Sequence, residues 1–249
     1  ENYSKIKHPL LPKFYGKAKI ENSYFNCIEF IQGKTLDFIQ EIFLSDEDKL
    51  LIIFQIMLII EYLHQEHIIY RDLKPDNIII DCNKDIILID FDRSIYKSET
   101  NKIDENHTRN FNSKYIAPEI NSTDFSYPSD IYSIGQIIYY IMEYIDMKSI
   151  CSELDKIGYE CINEKAELRP SISELIHIFY SIFELKLQHF HSNQISKYKS
   201  ILKKHQSSYL YQIVSISNKI ESFHNNDKEI KQNYVETQLK LGNIYYEGS

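Results

Sequence analysis

The sequence is poor in glycine. It has six glycines in 249 residues, and the first two, Gly16 and Gly33, lie far apart. A loop that wraps phosphate groups needs closely spaced glycines, because only then can its backbone N–H groups approach the phosphate oxygens. The sequence therefore excludes a glycine-rich phosphate loop within these residues.

Cysteine is scarce as well. The four cysteines, Cys27, Cys82, Cys151 and Cys161, lie far apart and include no C-x-x-C pair. This spacing disfavours a disulfide framework and is typical of a reducing compartment. We therefore expect an intracellular, cytoplasmic protein.

Positive charge is in deficit. The sequence contains 28 lysines and arginines and 36 aspartates and glutamates, which gives a formal net charge of −8. A surface of that sign is a poor electrostatic match for nucleic acid or anionic lipid. We expect no nucleic-acid partner.

A long apolar run is also missing. The most apolar stretch, residues 50–60, is interrupted by Gln55 and followed by Glu61. It falls well short of the roughly 20 apolar residues that a membrane span needs. The run therefore predicts a helix buried in a protein core, and we expect no membrane association.

The patterns that are present predict strands before helices. Residues 22–33 have the β-branched and aromatic density of strands, and Gly33 is predicted to form the turn that ends them. Ser45 is a predicted N-cap, with Glu47 and Asp48 in the first turn of a long buried helix.

Two short apolar runs after this helix predict a β-hairpin. Residues 78–81 and 86–90 are separated by the sequence CNKD, and we expect them to pair. A polar stretch without periodicity follows over residues 93–114, and helical patterns cover residues 129–187. The fold class predicted is α+β with a mostly helical C-terminal half.

The segment YRDLKPDN, residues 70–77, concentrates reactive groups between apolar runs. Asp72, Lys74 and Asn77 supply a carboxylate, an ammonium group and an amide. Phosphoryl transfer to an alcohol needs a carboxylate to orient the hydroxyl, a cation against the phosphate charge, and hard oxygen ligands for a metal ion. Asp90, at the end of the predicted hairpin, can return beside Asn77 as a second metal ligand.

Three motifs in order resemble the catalytic core of eukaryotic protein kinases. They are YRDLKPDN, then DFD at Asp90, then APE ending at Glu119. Further on, SDIYSIG resembles the family's helix with a buried aspartate, here Asp130, and LRP supplies Arg169 as the partner of Glu119. The resemblance implies a protein-kinase-like fold over residues 1–187, with a remnant of the N-terminal lobe sheet and a helical C-terminal lobe.

The same resemblance implies the roles of the loop residues. Asp72 is the catalytic aspartate, Lys74 contacts the transferred phosphate, and Asn77 and Asp90 hold Mg²⁺. Arg71 is expected to receive a phosphate from the loop that follows, where Ser94, Ser98, Thr100, Thr108 and Ser113 are candidates. A solvated loop without such a switch is the alternative interpretation.

An adenine site is also implied. The segment IEFIQGKTL looks like the family's fifth strand and hinge, with the hinge near residues 29–33. Ile28 is then the gatekeeper, Glu29 and Ile31 the backbone contacts to the base, and Ile79 an apolar floor beneath it. Each of these four is equally well explained as an ordinary core or strand-edge residue.

The departures from the family pattern are of two kinds. The first kind is missing features: the glycine loop, the V-A-I-K lysine and its glutamate partner are not found. Because the chain starts at Glu1, we expect that the N-terminal lobe is cut short. We also expect that this piece binds ATP poorly. Within the matched part, Tyr70 replaces the usual His, Asp92 replaces the Gly of DFG, and Asn112 stands where a Thr is common. None of these substitutions removes a metal ligand.

The C-terminal part has a different composition. Residues 188–231 predict a helical linker, and residues 232–249 resemble the start of a Sel-type repeat, a relative of the tetratricopeptide repeat. The alternative is an unrelated helix end. A repeat would begin an α-solenoid and would provide a surface for protein partners.

Two functions follow from these observations. The first is a serine/threonine-type protein kinase that uses ATP and Mg²⁺ on a protein substrate. The second is a pseudokinase scaffold that keeps the fold and binds partners without chemistry. The lysine two residues after Asp72 is the serine/threonine-type pattern.

Overall fold

The computed structural model describes residues 6–21, 23–98, 113–119 and 126–183. The strands in these ranges are β1 (Phe14–Ile20), β2 (Ser23–Ile28), β3 (Gly33–Thr35), β4 (Ile68–Ile69), β5 (Ile78–Asp81), β6 (Ile86–Leu88) and β7 (Ile95–Tyr96). The α-helices are α1 (Asp46–Gln65), α2 (Tyr127–Met142), α3 (Lys148–Cys161) and α4 (Ile172–Phe183). Short 3-10 helices lie at Leu36–Glu41, Pro75–Asn77 and Ala166–Leu168. This mixture of helices and small sheets confirms the α+β prediction.

Helix α1 begins where the sequence predicts. The Ser45 hydroxyl accepts a hydrogen bond from the Asp48 N–H (3.1 Å), and the Asp48 carboxylate accepts one from the Ser45 N–H (2.8 Å). This reciprocal capping box satisfies backbone donors that the first helical turn leaves unpaired. Three acidic residues in the first turn add a favourable interaction with the helix dipole.

The apolar run of α1 is buried on nearly all sides. Helices α2 and α4 and strand β6 contact it, and the rings of Phe54 and Phe179 stack with centroids 6.1 Å apart. Gln55 is fully buried within this run. Its amide donates to the Lys84 carbonyl (3.3 Å) and accepts from the Ile86 N–H (3.1 Å), so it fastens the β5–β6 hairpin to the helix.

Strands β3, β5 and β6 form an antiparallel sheet in that order. Ile78 is opposite Leu88 and Ile80 is opposite Ile86, which confirms the predicted hairpin. The second strand ends at Leu88, two residues earlier than predicted. Asp90 has φ of +58°, a left-handed conformation that cannot continue a strand.

The predicted turn at Gly33 is wrong. Gly33 is the first residue of β3 and lies opposite Asp81 of β5. A Cβ at this position would lie 2.3 Å from the carbonyl oxygen of Ile80. Glycine is therefore needed here because two strands approach closely, and not because the chain turns.

Strands β1 and β2 form a separate two-stranded antiparallel hairpin, and β4 pairs with β7. All four cysteines are free. Within the described ranges no helix has both the length and the apolar character to cross a membrane.

Several predictions concern residues outside the described ranges. They are Thr100, Thr108 and Asn112 in the polar stretch, the linker at 188–231 and the Sel-type repeat at 232–249. These stay predictions.

The role of Gly33 can be tested by Gly33→Ala. We expect the free energy of unfolding to fall by about 1–3 kcal/mol, because the added methyl group must push β3 away from β5. Chemical denaturation measures this difference. Lys17→Ala, at an exposed position of β1, is the control and should change it by less than about 0.5 kcal/mol. Equal effects of the two substitutions would contradict the close-approach explanation.

Candidate active site

The buried carboxylate of Asp130 holds the loop that carries the candidate catalytic residues. Its Oδ1 accepts a hydrogen bond from the Arg71 N–H (2.8 Å), and its Oδ2 accepts one from the Tyr70 N–H (3.0 Å). Oδ2 also lies 2.9 Å from Nε2 of His64. Asp130 is 0% exposed, and several polar partners are what a buried carboxylate requires.

Arg71 lies next to Asp130 in a strained and buried position. Its φ is +71°, which is uncommon for a residue with a side chain. Burial lowers the pKa of its guanidinium group to about 10, with the negative charge of Asp130 opposing that change and the positive charge of Arg93 adding to it. The group stays cationic at neutral pH, and its Nη1 donates to the Arg93 carbonyl oxygen (3.1 Å).

The structure brings Asp72, Lys74 and Asn77 together. The Asn77 amide donates to the backbone carbonyl of Asp72 (2.8 Å) and to its Oδ2 (2.9 Å). The Lys74 ammonium nitrogen lies 3.4 Å from the same Oδ2. Asp72 and Asn77 are buried, whereas the Lys74 side chain is partly exposed. A carboxylate, a cation and an amide are thus fixed in one short loop.

Asp90 lies near Asn77, as the hairpin predicts. The Ile89 N–H donates to the Asn77 carbonyl oxygen (2.9 Å), which places Asp90 one residue beyond a direct backbone contact. The exposed Asp90 carboxylate accepts from the Asp92 N–H (3.2 Å). Because the Asn77 amide nitrogen is engaged by Asp72, its oxygen is the atom left for a cation.

The chemistry of this donor set fits Mg²⁺. An amide oxygen and a carboxylate are hard ligands, and Mg²⁺ is commonly held by one or two carboxylates together with phosphate oxygens. Among the residues the structure describes, no group of three or more His, Cys, Asp or Glu side chains forms a metal site by itself. Asn77 and Asp90 would supply one amide oxygen and one carboxylate to such an ion, with phosphate oxygens as further ligands.

Tyr70 and Asp92, the two described residues that depart from the kinase pattern, both fit into the structure beside Asp72, Asn77 and Asp90. The buried Tyr70 ring meets Phe91 edge-on at 5.1 Å, and its hydroxyl donates to the Ile89 carbonyl oxygen. An aromatic residue with a donor thus stabilises the segment before Asp90. Asp92 is exposed and is not among the described residues with positive φ, so its side chain creates no backbone strain.

Glu119 and Arg169 form the predicted ion pair. Arg169 Nη1 and Nη2 lie 2.6 and 2.8 Å from the two Glu119 carboxylate oxygens. Arg169 also donates to the Pro128 carbonyl (2.9 Å), and its guanidinium group lies 5.0 Å from the centre of the Tyr132 ring. Burial raises the pKa of Glu119, but the hydrogen bonds and charge of Arg169 outweigh burial and hold it below its ordinary value.

The predicted adenine-site residues lie on strands β2 and β5 and on the segment between β2 and β3. Ile28 ends β2 and is 37% exposed. Glu29 follows it, and its N–H donates to the Lys13 carbonyl (2.8 Å). Ile31 is half-buried before β3, and Ile79 is half-buried on β5 opposite Thr35. Their roles toward a base stay predictions.

Sequence reasoning missed Arg93. Its position at the start of a polar stretch gave no signal, yet its Nη1 lies 3.5 Å from Oδ1 of Asp72. Only the turn after Asp90, together with the hydrogen bond from Arg71, brings this side chain back to the loop.

Comparison with known proteins agrees with this geometry. The family model "Protein kinase domain" matches residues 1–147. The chain therefore belongs to the protein kinase family.

Individual relatives are distant. The chain is similar to the spermatocyte protein spe-8 of Caenorhabditis elegans, with 30% identity over 77% of this chain and 38% of that protein. It is also similar to serine/threonine-protein kinase D of Synechocystis, with 28% identity over 73% of this chain and 38% of that protein. The SNF1-like protein kinase ssp2 of Schizosaccharomyces pombe shares 31% identity over 55% of this chain and 24% of that protein. The matches thus span less than two fifths of each relative.

The Asp130 contacts predict a large effect of Asp130→Asn. We expect the free energy of unfolding to fall by about 3–5 kcal/mol, because an amide cannot supply the charge and acceptors that three buried donors require. Denaturant unfolding measures the change. Asp155→Asn, at an exposed position of α3, is the matched control and should have little effect. A similar small effect at both sites would rule out Asp130 as the anchor of the loop.

The Glu119–Arg169 pair predicts a pH-dependent contribution to stability. Because the folded-state pKa of Glu119 is lowered, its contribution is present above the ordinary value of 4.5 and is lost as the pH falls through the folded-state value. We therefore expect the unfolding free-energy difference between the unchanged protein and Glu119→Gln to be largest near neutral pH and to shrink below pH 4.5. Glu153→Gln, which removes an exposed pair with Lys156, is the control. A difference for Glu119→Gln that stays constant with pH would refute the assignment.

Proposed function

We propose that the protein transfers the terminal phosphoryl group of ATP to serine or threonine hydroxyls of protein substrates. One observation carries the proposal: the Asn77 amide nitrogen and the Lys74 ammonium nitrogen lie 2.9 and 3.4 Å from the same carboxylate oxygen of Asp72. Membership of the protein kinase family supports phosphoryl transfer in general. The identity of the protein substrate is left open.

The roles of the loop residues follow from their chemistry. Asp72 accepts a hydrogen bond from the acceptor hydroxyl and orients the oxygen toward the phosphorus atom. Lys74 offsets negative charge on the transferred group. Asn77 holds the Asp72 carboxylate through its amide nitrogen and presents its oxygen, with Asp90, to Mg²⁺. When bound there, the ion supplies positive charge to the phosphate oxygens.

Four residues are proposed to bind the adenine base. Because the Glu29 N–H is bound to Lys13, Glu29 would offer its backbone carbonyl oxygen, and Ile31 would offer its backbone groups. Ile28 would limit the depth of the site, and Ile79 would lie against one face of the base. The side chain of Ile79 adjoins Gly33, so its position beside the hinge supports this proposal.

The preference for serine and threonine rests on two observations. Lys74 follows Asp72 by two residues, which is the serine/threonine-type pattern. Two similar proteins, kinase D of Synechocystis and OXI1 of Arabidopsis thaliana, carry "serine/threonine-protein kinase" in their names.

Regulation by phosphorylation is part of the proposal. Arg71 is cationic, and a phosphorylated hydroxyl from residues 93–114 could pair with it. Ser94 is an unfavourable candidate because it is buried and donates to the Phe91 carbonyl (2.7 Å). Ser98 and Ser113 are exposed and are better candidates.

The substitution Asp72→Asn tests the proposed chemistry in the intact protein. We expect the rate of phosphoryl transfer to a serine peptide to fall by about 10²–10⁴, because the hydroxyl loses the carboxylate that orients it. Radiolabelled ATP measures the rate. Stabilisation of the fold against heat by Mg²⁺ and ATP should persist, since Asn77 and Asp90 are unchanged.

The same measurements on a control variant and on the unchanged protein distinguish the kinase from the pseudokinase scaffold. Asp155→Asn should leave the transfer rate unchanged, since Asp155 lies at an exposed position of α3. Equal activity of Asp72→Asn and the unchanged protein would contradict the role of Asp72. No transfer and no stabilisation by Mg²⁺ and ATP in the unchanged protein would instead favour the pseudokinase scaffold.

A further inference from the structure

Tyr140, near the C-terminal end of α2, contacts two segments that lie far apart in the sequence. Its hydroxyl donates to the Asp37 carbonyl oxygen (3.1 Å) and lies 3.4 Å from that of Leu36, both in the 3-10 helix Leu36–Glu41. Its ring centre lies 5.8 Å from the ammonium nitrogen of Lys114. One side chain thus connects α2 with the segment that follows the predicted hinge and with the segment that contains Lys114.

The 3-10 helix that binds the Tyr140 hydroxyl borders the proposed adenine site. It follows β3 directly, and Thr35, the last residue of β3, lies opposite Ile79 of β5. Helix α2 holds the 3-10 helix at a second point, because the Tyr144 hydroxyl donates to the side-chain oxygen of Gln40 (3.2 Å). A movement of the 3-10 helix away from α2 would therefore displace β3 and the proposed floor of the adenine site.

The segment that contains Lys114 borders the loop at residues 70–77. The ammonium nitrogen of Lys114 also lies 5.3 Å from the ring centre of Tyr115. The Tyr115 carbonyl oxygen accepts from the hydroxyl of Ser133, a buried residue of α2 (2.7 Å). Burial raises the pKa of Tyr115 to about 12, and the negative charge of Asp76 in the loop adds to this rise. Lys114 and Tyr115 are thus held beside the loop to which an acceptor would bind.

We propose that Tyr140 is a positioning residue for phosphoryl transfer, which fixes the adenine side of the site relative to the acceptor side. The inference rests on the proposed phosphoryl transfer. The hydroxyl of Tyr140 holds the 3-10 helix, and its ring holds Lys114 through a cation–π contact. Transfer requires the phosphorus atom and the acceptor oxygen to be held close together and in line, so both sides of the site need a common support.

A tyrosine on α2 suits this role for two physical reasons. Its hydroxyl and ring form one rigid unit with few torsions, and the ring of Tyr144 meets that of Tyr140 edge-on, with centroids 5.6 Å apart. Helix α2 also carries Asp130, which holds the backbone of the loop. The adenine side, the acceptor side and the loop are therefore all attached to the same helix.

The hydroxyl and the ring can be tested separately by substitution in the intact protein. Tyr140→Phe removes the hydroxyl and keeps the ring, so we expect KM for ATP to rise about two- to tenfold and KM for a serine peptide to change by less than about twofold. Lys114→Met should raise KM for the peptide about two- to fivefold and leave KM for ATP unchanged. Tyr140→Leu, which removes both groups, should raise both constants. Radiolabelled ATP measures the rates.

Tyr139→Phe is the matched control. Tyr139 is also half-buried on α2, but its hydroxyl donates to the Asp155 carbonyl oxygen on α3 (3.3 Å). Because the same atom and the same kind of hydrogen bond are lost, stability should change about as much as in Tyr140→Phe, while both KM values should stay unchanged. A loss of stability in Tyr140→Phe without a change in KM for ATP would indicate a merely structural role and would overturn the inference.

Hydrogen exchange in the intact protein detects the same contact without catalysis. Tyr140→Phe should speed amide exchange in the 3-10 helix Leu36–Glu41 by about two- to tenfold, and Tyr139→Phe should leave it unchanged. Equal exchange in the two variants would contradict the role of the Tyr140 hydroxyl. If Tyr140→Leu does not fold, Tyr140→Phe and Lys114→Met still decide the question.

Failure of the proposed function would give a different result. No transfer to the peptide by the unchanged intact protein would count against phosphoryl transfer itself, while faster exchange in Tyr140→Phe would still support the attachment of the 3-10 helix to α2. Transfer by the unchanged protein, with unaltered KM values in Tyr140→Phe and Tyr140→Leu, would overturn only the positioning role of Tyr140.

Discussion

The burial of one carboxylate, that of Asp130, is the constraint on which the site depends. Its two oxygens contact the backbone N–H groups of Tyr70 and Arg71 and the ring nitrogen of His64, so helices α1 and α2 and the loop at residues 70–77 converge on one side chain. Arg71 is held at a positive φ as a consequence. Such a conformation persists only where the surroundings enforce it, and here it sets the direction in which the next residue, Asp72, leaves the backbone. The position of the Asp72 carboxylate thus depends on the contacts of the neighbouring backbone with Asp130.

A second buried charge supports the first from the other end of the same region. Arg169 binds both carboxylate oxygens of Glu119 and the carbonyl of Pro128, and Ser129 donates to Glu119 (3.1 Å). Pro128 and Ser129 belong to the first turn of α2, directly before Asp130. The ion pair therefore fixes the start of the helix that presents Asp130. These two buried polar networks define the position of the site more closely than apolar packing alone would, because hydrogen bonds constrain direction as well as distance.

Sequence patterns predicted the local features well. The Ser45 cap, the buried helix and the β5–β6 hairpin depend on neighbours within a few residues, and the motif order located Asp72, Lys74, Asn77 and Asp90. Contacts between distant segments were predicted only where the family resemblance supplied them, as for Glu119 with Arg169. Gly33 was misassigned because its constraint comes from Ile80 on another strand. Arg93 was missed because its proximity to Asp72 results from a turn whose geometry no local pattern encodes.

The departures from the family pattern show which parts of the site are constrained by chemistry and which by packing. Tyr70 fills a fully buried position, and its hydroxyl reaches the Ile89 carbonyl, so a different ring performs the packing and still supplies a donor. Asp92 adds a charge, but at an exposed position with ordinary backbone geometry. Both substitutions leave the oxygen atoms of Asp72, Asn77 and Asp90 in place. The Tyr70 position accepts a different aromatic residue because the ring is packed and its hydroxyl is hydrogen-bonded. The groups of Asp72, Asn77 and Asp90, together with the family match over residues 1–147, are what support the proposed phosphoryl transfer.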